Sequence, residues 1–345
     1  MKPYANNLEH LLDELSRIDL MVQSYLEKVL ESFPGAGDEF RGLYVSEAEI
    51  EQIQKNPGIG GQQVVADARI ERHKVIEAII EAIREEINAR KIESLRKGTE
   101  LRLHILSELF GLDPFEMDIL LIGLAPELDL KYEKLYPYLQ NDVNKKRPTV
   151  DLVLSMFIPA IEEKIKAREY FLPDASLRKN HLIHLLEGET NSSLSLISSF
   201  IKIDDRIVNF LLGYDDLDTR IGNFSALIKS KRSFEDLILP ADFKSKLMNM
   251  AIWYSSNKLP LKLVFCGPLG SGKKSAAEAV CRVAGINLLV VNSRVLFEVQ
   301  SLETSLENID LIRREALLQN SALYLQAFDV VFDGKEAMNF AEALN

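Results

Sequence analysis

A chain of 345 residues in which 47% of side chains are hydrophobic is long enough for two or three domains with real cores. Its formal charge of −11 argues against a protein that coats nucleic acid or an anionic membrane, and no apolar run approaches the length that spans a bilayer. The opening residues, Met1 to Glu9, lack the apolar core of a secretory signal. The two cysteines, Cys266 and Cys281, read as small packed side chains, so a soluble, cytoplasmic protein is expected.

In chain order, residues 6–32 place Leu8, Leu11, Leu15, Ile18, Val22, Tyr25 and Val29 at spacings of three and four, a heptad seam. Such a seam pairs with another copy of the chain or, more commonly, packs on a neighbouring helix. Phe33-Pro34-Gly35-Ala36-Gly37 breaks it. Phe40, Leu43 and Tyr44 and a Pro57–Gly61 loop follow. A second helix over about 64–96 carries Ile76, Ile79, Ile80, Ile83 and Ile87, making residues 1–97 a helical region.

Residues 98–232 read as short helices followed by a hairpin, a winged-helix-like domain. Thr99 is the expected cap of a helix ending at Gly111. Asp113-Pro114 starts another through Leu124, Lys131–Tyr136 a third ended by Pro137, and Thr149 caps a fourth of about 20 residues. His181–Leu186 and Ser198–Ile203 are the expected strands, with polar stretches near 188–198 and 214–233. Over residues 99–188, 11 Lys/Arg stand against 15 Asp/Glu, a net of −4, which favours a protein partner over DNA. His10, His73, His104, His181 and His184 show no ligand spacing, so no metal is expected there.

Residues 233–345 carry the most specific signal. Ser233–Pro240 leads into a helix; then come a strand 261–266, a helix 274–284, a strand 287–292, a helix near 302–319 and a strand 321–325, the grammar of a parallel sheet. Between the first strand and helix, Gly267-Pro268-Leu269-Gly270-Ser271-Gly272-Lys273-Lys274 fits the phosphate-loop pattern G-x-x-x-x-G-K-[ST] at every position but the last. Glycines let the backbone curl its N–H groups around phosphate oxygens, and Lys273 supplies formal charge at a helix N-terminus. Ser275 stands where a dinucleotide fingerprint needs a third glycine, which excludes that reading. Lys274 replaces the hydroxyl that normally holds Mg²⁺.

On the lead-in, the loop and the later strand, residues 233–345 resemble the AAA+ ATPases. The region before them, with Asp113–Leu120 and Leu211-Leu212-Gly213, is similar to bacterial AAA+ proteins that carry a winged helix, some encoded with extracellular contractile injection systems. The resemblance implies ATP or ADP as ligand, with Gly267, Gly270, Ser271, Gly272, Lys273, Lys274 and Ser275 as cofactor-binding residues. It also implies an Asp-Glu pair at the end of the strand Ala322–Leu325. Gln326 and Ala327 stand there instead, with Asp329 the only nearby fallback and Asp333 further on. Both expected Mg²⁺ positions are thus altered, and the Lys274 ammonium can occupy the space of the missing cation.

Only 72 residues follow Lys273, fewer than the family's remaining strands, sensors and lid need, so the likeness implies the N-terminal part of a longer protein. The expected architecture is therefore a mainly α N-terminal region followed by a partial α/β P-loop domain. The expected function is an ATP-binding module, weak in hydrolysis, of a protein-remodelling or cargo-loading ATPase. Its partner is a protein bound through residues 1–232, with homo-oligomers an additional possibility. The competing readings are a non-catalytic assembly adaptor and a winged-helix DNA-binding regulator.

Overall fold

The structure, a computed structural model, describes residues 2–32, 69–187, 195–257, 261–298 and 302–329. The Phe33–Gly37 break, the segment holding Phe40, Leu43 and Tyr44, the Pro57–Gly61 loop, the start of the second helix and Asp333 lie outside them. Two compact units form, Met1–Tyr214 and Asp215–Asn345.

The first unit is built on two long helices, α1 (Asn7–Ser32) and α2 (Arg69–Arg96). Leu11, Leu15, Ile18 and Val22 are buried as their spacing predicts, but Leu8 lies outside the seam at 51% exposure. Ile87 of α2 is buried and Ile76, Ile80 and Ile83 are half-buried, while Ile79 faces outward. The seam packs within the chain, against α2, α4 (Pro114–Leu128) and α6 (Val150–Phe157), with α3 (Arg102–Phe110) and α5 (Tyr132–Leu139) between them in sequence.

Local chemistry explains where these helices start and stop. Thr99 is not the cap of α3: the Arg102 N–H donates to Asn7 Oδ1 of α1 at 2.7 Å, and Asn7 Nδ2 donates onward to the Leu211 carbonyl. Gly111 ends α3 in the left-handed conformation, as expected. The Asp113 carboxylate accepts from the Glu116 N–H at 2.8 Å and the Glu116 carboxylate from the Asp113 N–H at 3.0 Å, a reciprocal capping box at the start of α4. α5 runs through Pro137, expected to stop it, because a proline in a last turn removes only one bond. Thr149 caps α6 at the Leu152 N–H, but where a helix of about 20 residues is expected α6 has only 8. Pro159 forces Ile158 into an extended backbone, φ −128° and ψ 91°. There follow α7 (Ile161–Ala167), a 3-10 turn Arg168–Phe171 and a one-turn α8 (Ser176–Lys179). The hairpin is β1 (Ile183–Leu186) antiparallel to β2 (Phe200–Ile203), Ile183 opposite Ile203, with Thr149 bridged to Phe200 and α9 (Asp205–Leu211) closing the unit.

The second unit holds β3 (Ser225–Ile228), α10 (Ala241–Asn257), α11 (Lys273–Ala284), β4 (Asn287–Asn292), α12 (Ser293–Glu298), α13 (Leu302–Leu318) and β5 (Ser321–Gln326). The sheet order is β3-β4-β5. β4 and β5 are parallel from Asn287 opposite Ser321 to Asn292 opposite Gln326. β3 is antiparallel to β4, so the sheet is mixed rather than wholly parallel, and β3 arises in a stretch that reads as polar linker. Alternate β4 residues serve opposite faces: Leu289 and Val291 pack with Ile309 and Ile312 of α13, Leu288 and Val290 with Ala277 and Cys281 of α11.

Leu261–Cys266, the expected first strand, is not in this sheet. Its side chains alternate as a strand's do, Leu261, Leu263 and Phe265 half-buried and Lys262, Val264 and Cys266 exposed, but it pairs with no described strand. Alternation in sequence prescribes which face is covered; a ladder also requires a neighbour, which no local pattern encodes.

Candidate functional site

The residues expected to cradle phosphate, 267–274, fall on an exposed turn between the extended segment 261–266 and the start of α11. Gly267, Gly270 and Gly272 have φ of 150°, 83° and 82°. At Gly267 an added Cβ would also stand 3.0 Å from Ser271 Oγ, a tight contact that the exposed hydroxyl would have to turn away from. Gly272 is the N-cap residue of α11, so the free N–H groups of the first helical turn open onto the loop.

Lys273 is the first residue of α11. Its ammonium turns back over the loop and donates to the carbonyl oxygens of Gly267, at 2.6 Å, and Pro268, at 2.8 Å. That places one positive charge over the loop carbonyls, with the Ser271 N–H donating to the Pro268 carbonyl at 3.3 Å, and an anion with several oxygens would offer this ammonium stronger acceptors. Lys274 is exposed and makes no hydrogen bond or ion pair with a described residue, and Ser275 is half-buried one position on.

The loop rests on a packed support. Phe234 and Leu237 from the lead-in bury against Leu247 and Ala251 of α10 and Ala276, Ala279 and Val280 of α11, with Leu263 and Phe265 at the margin. Arg232 contacts Glu278 of α11 twice, through its N–H at 3.2 Å and its Nε at 3.3 Å, and Arg282 donates to the Lys231 carbonyl. Cys281 is buried on the same helix, and burial pushes its thiol up to about 11. It is a core side chain and no nucleophile.

Gln326 and Asp329 are exposed and Ala327 is half-buried, just beyond β5. Among the described residues no hydrogen bond or ion pair links any of the three to the loop. Ala327 has φ 55°, so the chain turns sharply as the strand ends. Asn292, which the sequence reading passed over, stands opposite Gln326 at the end of β4. Its Oδ1 accepts from the Arg294 N–H at 3.2 Å at the start of α12. A strand ending in Asn-Ser before a helix is the signal that could have found it.

In the first unit, His184 Nε2 lies 2.7 Å from Asp204 Oδ2, and the same carboxylate caps α9 through the Arg206 N–H. His181 sits beside His184 at 6.5 Å between ring centres, in a left-handed backbone at φ 51°. No group of three His, Cys, Asp or Glu able to hold a metal ion comes together among the described residues. The basic run Lys145-Lys146-Arg147 is partly engaged internally, Arg147 pairing with Glu127 at 2.7 Å. On α7, Ile161 and Ile165 are 69% and 63% exposed. No described helix is long and apolar enough to cross a membrane.

A family model described as a winged helix domain, variant, matches residues 1–225. No curated protein and no solved structure matches the chain.

Proposed function

The chain belongs to the winged helix domain family, in its variant form, and on that premise we propose a winged-helix protein that carries a nucleotide-binding module. Residues 1–232 engage a protein partner. Residues 233–345 hold ATP or ADP in a P-loop domain of AAA+ type with impaired hydrolysis. The whole is the N-terminal portion of a protein-remodelling or cargo-loading ATPase of the kind that serves contractile injection systems.

The observation that carries the nucleotide reading is the Lys273 ammonium set over the Gly267 and Pro268 carbonyls at the head of α11. A polyphosphate offers that ammonium better acceptors than two peptide carbonyls, and it offers the loop amides an anion. Calorimetric titration of the full chain with ADP and ATP tests it. Micromolar to millimolar binding that disappears in Lys273→Ala supports the reading; heats no larger than dilution in the folded wild-type chain reject it.

The protein-partner reading rests on shape as well as charge. The helix immediately before the hairpin, α8, has four residues and extends about 6 Å, too short to lie along a DNA major groove. α7 presents Ile161 and Ile165 to solvent, and its Glu162 and Glu163 offset Lys164 and Lys166, so it carries no net positive charge. Submicromolar, salt-sensitive binding of the full chain to duplex DNA would favour the DNA-binding regulator instead.

A further inference from the structure

A phosphate loop of this pattern ordinarily presents a Ser or Thr hydroxyl to Mg²⁺ directly after its lysine, and a carboxylate from a neighbouring strand completes the ion's shell. The donors in this chain do not fit that ion. Lys274 occupies the hydroxyl position and can only repel a cation. The paired ends of β4 and β5 carry Asn292 and Gln326, two neutral amides, and Asn292 already accepts a hydrogen bond from the start of α12. The nearest acid in sequence, Asp329, is exposed and makes no hydrogen bond or ion pair with the loop among the described residues. Mg²⁺ is a hard cation that dehydrates reluctantly and takes charged oxygens, so this set gives it no anchorage.

The first turn of α11 points the same way from an independent direction. It holds two lysines, Lys273 and Lys274, and no acidic residue. Positive side chains at a helix N-terminus oppose the helix dipole, and residues that break a local rule of this kind mark places where something else supplies the compensation. Lys273 is held by loop carbonyls, whereas Lys274 makes no hydrogen bond or ion pair with a described residue. An anion bearing several charges would satisfy both ammonium groups and the free amides of the turn.

We propose that the loop takes a metal-free nucleoside polyphosphate, the Lys274 ammonium neutralising the oxygens that Mg²⁺ would otherwise hold, so that free Mg²⁺ competes with the protein for the nucleotide. The inference rests on the nucleotide reading of the same loop and specifies the form of ligand it accepts. Charge determines the sign: a nucleotide that arrives with its ion brings two positive charges against Lys273 and Lys274 and has fewer free oxygens to offer them.

The test is calorimetric titration of the full chain with ATP, and with inorganic tripolyphosphate as a base-free probe, in EDTA and in excess Mg²⁺. The expected result is binding of both probes in EDTA that weakens by about tenfold in Mg²⁺, the scale of one charge-assisted contact. Lys274→Arg keeps this behaviour. Lys274→Thr, an exposed substitution that leaves the core untouched, weakens metal-free binding by a similar factor and removes or reverses the effect of Mg²⁺. Tighter binding of the wild-type chain in Mg²⁺ overturns the inference and leaves the nucleotide reading standing. An Mg²⁺ effect that is the same in wild type and Lys274→Thr also overturns it, since sequestration of the probe in solution would then be the whole cause. Absence of binding in both buffers, with the chain folded by circular dichroism, removes the nucleotide reading and this inference with it.

Discussion

Arg17 of α1 donates through Nη2 to Asp118 Oδ1 of α4 at 2.5 Å, and through Nε to Glu14 Oε2 at 2.9 Å, with the Arg17 and Asp118 side chains both buried. The apolar seam of α1 permits more than one rotation of the helix against its neighbours. A buried pair selects one, because every other setting strands a charge. Arg17→Leu should therefore lower unfolding free energy by about 3–5 kcal/mol, whereas Arg17→Leu with Asp118→Leu should recover most of that loss. Urea denaturation of the three variants checks it. Equal losses in the single and double variants would mean that the pair does not set the packing.

His10, on the same helix, is 1% exposed and lies against the Tyr4 ring at 5.0 Å, with no hydrogen-bond partner for its ring nitrogens among the described residues. Burial pulls its pKa down to about 4. Glu14, 3.8 Å from Nε2, opposes that shift, and Lys91, His104 and Arg90 reinforce it. With the folded value below the ordinary 6.5, the unfolded chain binds the extra proton first. Stability should hold above pH 6.5, fall between 6.5 and about 4 by up to about 1.4 kcal/mol per pH unit, and level off for this group below that. His10→Phe should flatten that segment of the stability–pH curve. An unchanged slope between wild type and variant would assign the acid sensitivity to other groups.

What the sequence made legible divides by range. Features set by a few adjacent residues were readable: the Asp113–Glu116 capping box, the Gly111 stop, the two hairpin strands, β4 and β5, and the glycines that turn the backbone before α11. Features that need a distant partner were not. The cap of α3 comes from Asn7, 95 positions earlier, so no reading around Thr99 could have found it. Arg314 of α13 is 1% exposed and donates to Asp218 Oδ2 at 2.5 Å, 96 positions away, and in sequence both look like ordinary surface charges. The segment 261–266 fails as a strand for the same reason, since its own residues supply the alternation but no ladder. In the candidate site, the loop belongs to the legible class. Gln326 was readable at the end of β5 from the sequence; that a second amide, Asn292, stands opposite it emerges only from the register.

Lys274→Glu should separate stability from binding. It replaces an exposed cation at the N-terminus of α11 with an anion, which the helix dipole favours, so thermal unfolding should shift upward by roughly 1–3 °C. The same change sets a carboxylate against an incoming polyphosphate, and ATP binding should be lost. A scanning calorimeter and a titration calorimeter read the two effects on one preparation. A variant both less stable and unable to bind would show that Lys274 has a structural role, contrary to its exposure.

The last expectation concerns turnover. Hydrolysis of a bound polyphosphate needs developing charge neutralised on the transferring phosphoryl group and a water oriented for attack. Lys273 meets part of the first need. For the second, the end of β5 offers Gln326 and then Ala327, whose methyl group can neither orient nor deprotonate water, and Asp329 is exposed beyond a backbone turn at φ 55°. A phosphate-release assay on the purified chain should therefore give turnover at or barely above background, with or without Mg²⁺, under conditions where calorimetry shows ATP bound. Asp329→Asn should change neither binding nor that background. Robust Mg²⁺-dependent release would contradict the expectation, and its loss in Asp329→Asn would then identify Asp329 as the acid that swings into the site. Release that survives Asp329→Asn but disappears in Lys273→Ala would require an acid from outside the described residues.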